Sequence, residues 1–212
     1  MDAWLNQLLA EPEMLQMGHG QDAASRSLGL GWIYYGLARA LRPSRVVIVG
    51  SWRGFVPLVF GKALIDNGDN GRVVFIDPSY VDDFWSDPAR TAAHFARFGV
   101  GNIGHHCMTT EAFAQSDAYA DLKDVGILFI DGMHTATAAR FDHEAFRPRL
   151  AENGVTLFHD SIWVRPSRIY GADKVYEHRV KDYIDALRSD KLLDVLDIAI
   201  AGGLTLVREL RS

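Results

Sequence analysis

The sequence has few of the features that mark secreted or membrane-spanning proteins. It holds one cysteine, Cys107, so no disulfide can form within the chain. No apolar run approaches the roughly 20 residues that a membrane span needs. The first residues, MDAWLNQLLAEPEM, carry an early acid where a signal peptide would have a basic start. These absences predict a cytoplasmic protein that does not bind a membrane.

An excess of basic residues is also missing. The chain has 22 Lys and Arg against 27 Asp and Glu, which gives a formal net charge of -5. Proteins that bind nucleic acids usually present a basic face, so we expect no nucleic-acid partner. A length of 212 residues with 48% hydrophobic residues is enough for one globular domain with a sizeable core.

Helix-like and strand-like segments alternate along most of the chain. Apolar periodicity predicts helices at residues 2–10, 22–41, 57–68, 88–99, 110–116, 135–147 and 174–188. Short β-branched runs predict strands at residues 45–50, 72–77, 102–107, 126–131 and 155–159, followed by a terminal hairpin of residues 192–200 and 204–210. The alternation indicates an α/β fold with a mostly parallel sheet. Residues 1–40 are expected to form a helical cap segment, and residues 41–212 the main domain.

Glycine or an acid stands at the end of four predicted strands. These residues are Gly50, Asp77, Asp131 and Asp160, and His159 precedes the last of them. In open parallel sheets, ligands bind beyond the carboxyl ends of the strands. Neighbouring strands would therefore bring these residues to one crevice.

The turn after the first strand, VVIVGSWRGF, has the pattern G-x-x-x-G at Gly50 and Gly54. It is neither the G-x-G-x-x-G of dinucleotide-binding proteins nor a P-loop, so a cofactor turn and a plain tight turn both stay open. Asp77 ends the next strand and precedes Pro78, which also suits a helix cap. In combination with the glycine turn, Asp77 favours binding of the two hydroxyls of a ribose.

Two strand ends combine carboxylates with an imidazole at Asp131, His159 and Asp160. Oxygen ligands suit Mg²⁺, whereas an imidazole moves the preference toward Mn²⁺, Fe²⁺, Co²⁺ or Zn²⁺. The alternative is a capping Asp and a packed His. His134 starts the following helix and is a candidate general base. It could also be a metal ligand or a solvent-facing residue.

Several other segments carry weaker signals. His105 and His106 point to opposite faces of a strand and are interpreted as structural. Residues 17–22, MGHGQD, are Gly-rich and could form a lid or a linker. The loop 161–173, with Trp163 and Tyr170, is the expected place for substrate contacts. Surface positions are expected for His143 and His178, and core positions for Trp32, Tyr34 and Tyr35.

Three stretches together resemble class I S-adenosylmethionine-dependent methyltransferases. They are RVVIVGSWRGFVPLVFGKAL, VVFIDPSY and ILFIDGMHTATAARFDHEAFRPRLAENGVTLFHDS. The FIDG-x-H…HD pattern is similar to that of small-molecule O-methyltransferases, including antibiotic-sugar and catechol enzymes. The resemblance covers residues 40–162 and implies a Rossmann-like, doubly wound, seven-stranded sheet with a C-terminal antiparallel hairpin.

The resemblance implies a role for each matching residue. The methionine part of the cofactor would lie against Gly50, Ser51 and Gly54, and the ribose against Asp77. The adenine would lie beside Pro78 to Tyr80 and beside Met108, Thr109 and Thr110. Asp131 would lie beneath the sulfonium and, with His159 and Asp160, bind a divalent cation. His134 stands where the catechol enzymes keep a catalytic lysine.

Two departures from the family pattern are visible. Ile48 stands where this fold usually carries an acid, and His159 stands where the catechol enzymes have a carboxylate. The prediction is an O-methyltransferase that uses S-adenosylmethionine, with Mg²⁺ or Mn²⁺ as a candidate second cofactor. The expected partners are a small hydroxyl-bearing acceptor and a second copy of the chain. The alternatives are a noncatalytic binding protein on the same scaffold, which Ile48 favours, and a nicotinamide-dependent oxidoreductase.

Overall fold

Seven strands of the computed structural model, which describes residues 1–210, form one sheet. The strands are β1 Arg45–Val49, β2 Arg72–Ile76, β3 Ile103–His106, β4 Val125–Ile130, β5 Leu150–His159, β8 Leu193–Ile198 and β9 Leu204–Glu209. Their order is β3-β2-β1-β4-β5-β9-β8, with β1 to β5 parallel and β9 antiparallel to both neighbours. A separate antiparallel pair is formed by β6 Arg165–Ser167 and β7 Tyr176–His178. The predicted fold class and terminal hairpin are confirmed.

Helices cover both faces of the sheet. They are α1 Asp2–Leu9, α2 Gly31–Leu41, α3 Phe55–Asn67, α4 Pro88–Arg97, α5 Thr110–Phe113, α6 Asp117–Ala120, α7 Ala136–Phe146 and α8 Val180–Leu187, with 3₁₀ turns at Pro12–Leu15 and Arg147–Arg149. Helices α1 to α4 share one buried apolar cluster with the sheet, and α5, α7 and α8 share another. Among residues 1–210, none of the helices combines the length and the apolar character that crossing a bilayer requires.

The first strand shows how the two faces divide the core. Val46 and Ile48 belong to the cluster on the α2 and α3 side, whereas Val47 and Val49 belong to the cluster on the α7 side. Successive residues of a strand point to opposite faces, and burial of both faces explains the unbroken apolar run. Ile48 is fully buried in this cluster, so it is a core residue.

Two predicted helices are wrong in part. Residues 22–30 are not helical: Asp22 pairs with Ser27 in an isolated bridge, and its carboxylate accepts hydrogen bonds from the backbone of Ala24 and Ser25. Such aspartate turns compete with helix formation. The helix predicted at 174–188 begins at Val180, because residues 176–178 pair with β6.

Smaller differences concern element ends and the aromatic pair of α2. Helix α3 starts at Phe55, two residues early, and β5 starts at Leu150, five residues early. Tyr34 is a core residue as predicted and Tyr35 is partly buried against the core, but Trp32 is exposed on the helix surface. The expected division at residue 40 stays a prediction, and residues 211 and 212 of the predicted domain lie outside the described part of the chain.

Candidate active site

The ends of β1, β2 and β4 are joined by backbone hydrogen bonds. The Gly50 amide donates to the Ile76 carbonyl at 2.9 Å, and the Asp131 amide donates to the Val49 carbonyl at 2.8 Å. At Gly50, where φ is +78°, a Cβ atom would lie 2.3 Å from the Asp131 carbonyl oxygen. Glycine is therefore required here for the two strand ends to meet.

A cavity of about 670 Å³ opens above these strand ends. This size is typical of a site for a small molecule or cofactor. Of the residues predicted to bind a cofactor, nine line it: Gly50, Ser51, Asp77, Pro78, Ser79, Tyr80, Thr109, Thr110 and Asp131. Gly54 and Met108 are not among the described residues that line it. At Gly54 a Cβ atom would lie 2.8 Å from the Phe95 ring, so packing explains this glycine.

Asp77 organises the turn beside the cavity. Its two carboxylate oxygens accept hydrogen bonds from the backbone amides of Ser51, at 3.1 Å, and Ser79, at 2.7 Å. Burial raises the pKa of the carboxyl group, and these two hydrogen bonds oppose that change. Each carboxylate oxygen can accept a second hydrogen bond, so Asp77 can hold the turn and still bind hydroxyl groups.

Asp131 lies at the centre of a cluster of histidines. Its Oδ1 atom is 2.7 Å from Nδ1 of His159 and 3.1 Å from Nε2 of His134, and its Oδ2 atom is 3.8 Å from Nε2 of His19. Burial disfavours the charged carboxylate, but attraction to these histidines outweighs burial and holds the pKa of Asp131 far below its usual value. Asp131 is therefore an acceptor of hydrogen bonds from the imidazoles.

The two innermost histidines titrate in opposite directions. Burial lowers the pKa of His159, but the charges of Asp131 and Asp160 outweigh burial and raise it to about 9. Burial lowers the pKa of His19 to about 3, and repulsion from His159 adds to the effect. The two rings are stacked with centroids 4.2 Å apart. At neutral pH, His159 is therefore protonated and His19 is neutral, and both rings lie beside Asp131.

Asp160 forms a second acidic centre next to the first. Its Oδ2 atom accepts a hydrogen bond from the guanidinium of Arg165 and lies 3.2 Å from Nδ1 of His178 and 3.7 Å from Nε2 of His134. Burial would raise the pKa of the carboxyl group, but the contact with His178 and the nearby His159 hold it at about 2. Among residues 1–210, no hydrogen-bond partner is found for the buried Oδ1 atom of Asp160.

The sequence-predicted metal ligands are adjacent but divide between two groups. One group is His19, Asp131 and His159, and the other is His134, His159 and Asp160. In each, three ligand atoms lie within 4.8 Å of one another. His159 belongs to both: its Nδ1 atom is 2.7 Å from Oδ1 of Asp131, and its Nε2 atom is 3.9 Å from Oδ1 of Asp160. The predicted triad of Asp131, His159 and Asp160 is thus close in space, but each group also includes a histidine outside that triad.

Several site residues were missed by sequence reasoning. His178 was expected at the surface, but it is buried and its ring stacks on His134 with centroids 4.1 Å apart. His143 is also buried, against the Tyr183 hydroxyl group. His19 lies in the Gly-rich segment 17–22, which the sequence could make either a lid or a linker. In that segment the Gly18 carbonyl oxygen lies 3.3 Å from Nε2 of His159. The glycines beside His19 were the available signal.

The segment carrying β6 and β7 covers one side of the cavity. Arg168, Tyr170 and Tyr176 line the cavity together with Arg165 and His178. The amide of Arg179 donates to the carbonyl of His134 at 2.7 Å and fixes this segment to the start of α7. The predicted substrate loop therefore borders the cavity, although Trp163 is not among the described residues that line it.

Residues 47–161 match a protein-family model described as a methyltransferase domain. An uncharacterized protein of Sinorhizobium fredii is 28% identical over 143 residues, which covers 61% of this chain and 15% of that protein. The chain thus spans about 15% of the length of this curated relative.

Two solved structures share the fold. A methyltransferase of Geobacter sulfurreducens has 21% identity and a TM-score of 0.60, over 85% of this chain and 78% of that one. An O-methyltransferase of Bacillus cereus, solved with S-adenosylhomocysteine, has 12% identity and a TM-score of 0.68, over 100% of this chain and 92% of that one.

Proposed function

The chain belongs to the methyltransferase-domain family, and from this premise we propose that it transfers a methyl group from S-adenosylmethionine to a hydroxyl group of a small molecule. The observation that supports the proposal best is that one cavity is lined by a glycine turn, an acid at the position suited to a ribose, and an Asp–His pair. These are Gly50, Asp77, and Asp131 with His134. The fold neighbour from Bacillus cereus was solved with S-adenosylhomocysteine, the product that methyl transfer leaves behind.

The residues around the cavity fit S-adenosylmethionine. Gly50 lines the cavity where the ends of β1 and β4 meet, and Asp77 has lone pairs left for ribose hydroxyls. The cofactor, when bound, supplies an electrophilic methyl group on a sulfonium. Asp131, ionised and largely buried at the strand end, is placed to attract that positive charge.

His134 is the proposed general base. Its Nε2 atom donates to the ionised Asp131, which leaves Nδ1 to accept a proton from the acceptor hydroxyl. The carboxylate fixes the tautomer and stabilises the imidazolium that forms, as in other Asp–His pairs. Stacking on His178 holds the ring plane. These residues orient the acceptor and move its proton, which is what a weakly nucleophilic hydroxyl group requires.

The donor set also fits a divalent cation. The buried Oδ1 atom of Asp160, which lacks a hydrogen-bond partner among residues 1–210, lies 3.9 Å from Nε2 of His159. His134, His159 and Asp160 would hold the ion, and a bound cation lowers the pKa of a coordinated hydroxyl group. Two nitrogen donors favour Mn²⁺, Fe²⁺, Co²⁺ or Zn²⁺ over Mg²⁺. If His134 binds the ion through Nε2, its Nδ1 carries the remaining ring proton, so His134 would then serve as a ligand and not as the base.

Calorimetric titration with S-adenosylmethionine tests the cofactor. Binding should occur in the wild type and in Asp69→Ala, a surface control remote from the cavity, and should be lost or strongly weakened in Asp77→Ala. A broad panel of phenols and sugars, read by mass spectrometry for a gain of one methyl group, then tests the reaction. Absence of cofactor binding in the folded wild type would refute the proposal.

Titration with Mn²⁺ tests the metal site without reference to turnover. Binding of Mn²⁺, read by electron paramagnetic resonance, should be lost in Asp160→Asn and kept in Asp190→Asn, a remote surface control. Equal binding by the wild type and Asp160→Asn would contradict the assignment.

A noncatalytic binding protein is the second candidate, and the buried Ile48 favours it. The acid expected at that strand position is replaced by a core side chain. Retained cofactor binding without methyl transfer to any acceptor of the panel would support this candidate over the enzyme.

A further inference from the structure

Asp142 is a buried carboxyl group that borders the cavity and has no part in the proposed methyl transfer. It lies in the middle of α7, is 5% exposed and belongs to the cavity lining. Burial of a carboxyl group away from basic side chains is unfavourable unless polar groups contact it. A residue of this kind in a binding cavity is a candidate for ligand recognition.

A missing side chain leaves Asp142 open to the cavity. A Cβ atom at Gly132 would lie 3.5 Å from Oδ2 of Asp142 and 3.2 Å from Cγ1 of Val49. A larger residue at 132 would therefore extend over the carboxyl group. Gly132 also lines the cavity, directly after Asp131.

Asp142 lies on the side of the cavity that suits an adenine ring. Its carboxyl group interacts with the Thr110 side chain, at the start of α5. Thr109 and Thr110 line the cavity beyond β3, next to the strand that carries Asp77. With the ribose on Asp77 and the methionine part toward Gly50 and Asp131, the base would lie toward Thr110.

We propose that the Asp142 carboxyl group recognises the edge of the adenine ring that carries N1 and the 6-amino group; this inference rests on the proposed use of S-adenosylmethionine. On that edge adenine presents one acceptor, N1, beside one donor, the amino group. A neutral carboxylic acid presents the complementary pair, an O–H donor and a C=O acceptor. Two parallel hydrogen bonds can therefore form, as between an amide side chain and adenine.

The surroundings of Asp142 keep its proton in place. Burial raises the pKa of the carboxyl group to about 7, the Thr110 hydrogen bond opposes the rise, and the charge of Glu111 on α5 adds to it. The neighbours from the sheet, Val49 and Gly132, do not titrate. Below about pH 7 the group therefore offers both a donor and an acceptor, and above it the donor is lost.

Three ligands differing by one ring atom test the contact. They are S-adenosylhomocysteine, an analogue with carbon in place of N1, and a control analogue with carbon in place of N3. At about pH 6, calorimetry should show the N1 analogue binding about 5- to 150-fold more weakly than the parent compound, the range for loss of a bidentate base contact. The N3 analogue should bind like the parent.

Variants assign that difference to Asp142. In Asp142→Ala the preference for the parent over the N1 analogue should disappear, whereas in Glu144→Ala, an exposed position on the same helix, it should remain. In Asp142→Asn the amide keeps a donor and an acceptor, so the preference should persist at about pH 9. In the wild type it should shrink there, because the carboxyl group has lost its proton.

The ligand comparison separates the two proposals. If the wild type binds S-adenosylhomocysteine but treats the N1 and N3 analogues alike, recognition by Asp142 is refuted and the proposed cofactor stands. The same conclusion follows if Asp142→Ala keeps the preference. If the folded wild type does not bind S-adenosylhomocysteine, both proposals are refuted.

Discussion

One ring nitrogen of His134 contacts Asp131, and the ring also lines the cavity. Replacing this side chain should therefore slow catalysis without weakening cofactor binding. In His134→Gln we expect kcat to fall by about 10²- to 10⁴-fold, the usual contribution of a general base. The affinity for S-adenosylhomocysteine should stay within a few-fold of the wild-type value. Steady-state kinetics and calorimetry measure the two quantities, and His106→Gln, outside the described cavity lining, is the control. A His134→Gln enzyme with unchanged kcat would contradict the assigned role.

His143 makes a residue-scale contribution to acid sensitivity. Burial lowers its pKa in the folded chain to about 4, against a usual value near 6.5. Between these values the unfolded chain binds more protons, so stability falls as the pH decreases, by up to about 1.4 kcal/mol per pH unit. Urea denaturation at about pH 7 and pH 5 should show a smaller loss for His143→Gln than for the wild type. Equal losses in the two proteins would show that His143 does not titrate in this way.

Single residues also mark where the sequence was informative. A strand end can be recognised in the sequence as an apolar run followed by glycine or an acid. This pattern predicted one crevice that contains Gly50, Asp77, Asp131 and His159. His19 and His178 could not, since each reaches the cluster through a nonlocal contact. Gly54 fits the G-x-x-x-G pattern, but the structure explains this glycine by close packing against aromatic rings.

At the scale of elements, the segment before α2 depends on a glycine conformation. Gly29 has φ +57°, and a Cβ atom there would lie 2.1 Å from the His19 carbonyl oxygen. Gly29→Ala should therefore displace the turn that holds His19 and cost roughly 2 kcal/mol or more in the free energy of unfolding. Urea denaturation measures that loss.

Gly36 supplies the matched control within the following helix. It is exposed in α2. Apart from the neighbouring backbone of its own helix, no described atom lies within 4 Å of a Cβ atom added there. Gly36→Ala should stabilise the protein by about 0.5–1 kcal/mol, because alanine loses less backbone entropy in a helix. Destabilisation by both substitutions to the same extent would contradict the argument for Gly29.

Elements were predictable where a local pattern decided them and were missed where a partner decided them. The sheet strands repeat apolar side chains that both faces bury, so their order along the chain is clear from sequence. Residues 176–178 became a strand because β6 lies beside them, and nothing in their own side chains requires it. Asp22, where the helix 22–41 was predicted to begin, forms a turn instead, because its carboxylate accepts hydrogen bonds from the backbone amides of Ala24 and Ser25.

At the scale of the whole molecule, cofactor binding should stabilise the entire domain. The proposed ligand bridges the ends of β1, β2 and β4, which run through the centre of the sheet. At a free concentration of about 100 times Kd, a ligand specific to the folded state adds about 2.7 kcal/mol. For a chain of this size that corresponds to a rise in Tm of roughly 5–11 °C. Differential scanning fluorimetry with S-adenosylhomocysteine measures it, and Asp77→Ala at the same ligand concentration should show little rise.

Two segments that lie far apart in the sequence, around Gly18 and Gly202, meet at the site. The Gly202 amide donates to the Gly18 carbonyl at 3.1 Å, and a Cβ atom at Gly202 would lie 1.9 Å from Oδ1 of Asp160. During synthesis, the ribosome must therefore release the β8–β9 turn before His19, His159 and Asp160 can take their final positions. A nascent chain stalled earlier would have most of the parallel sheet, but His19, His159 and Asp160 would lack the contacts that the β8–β9 turn supplies.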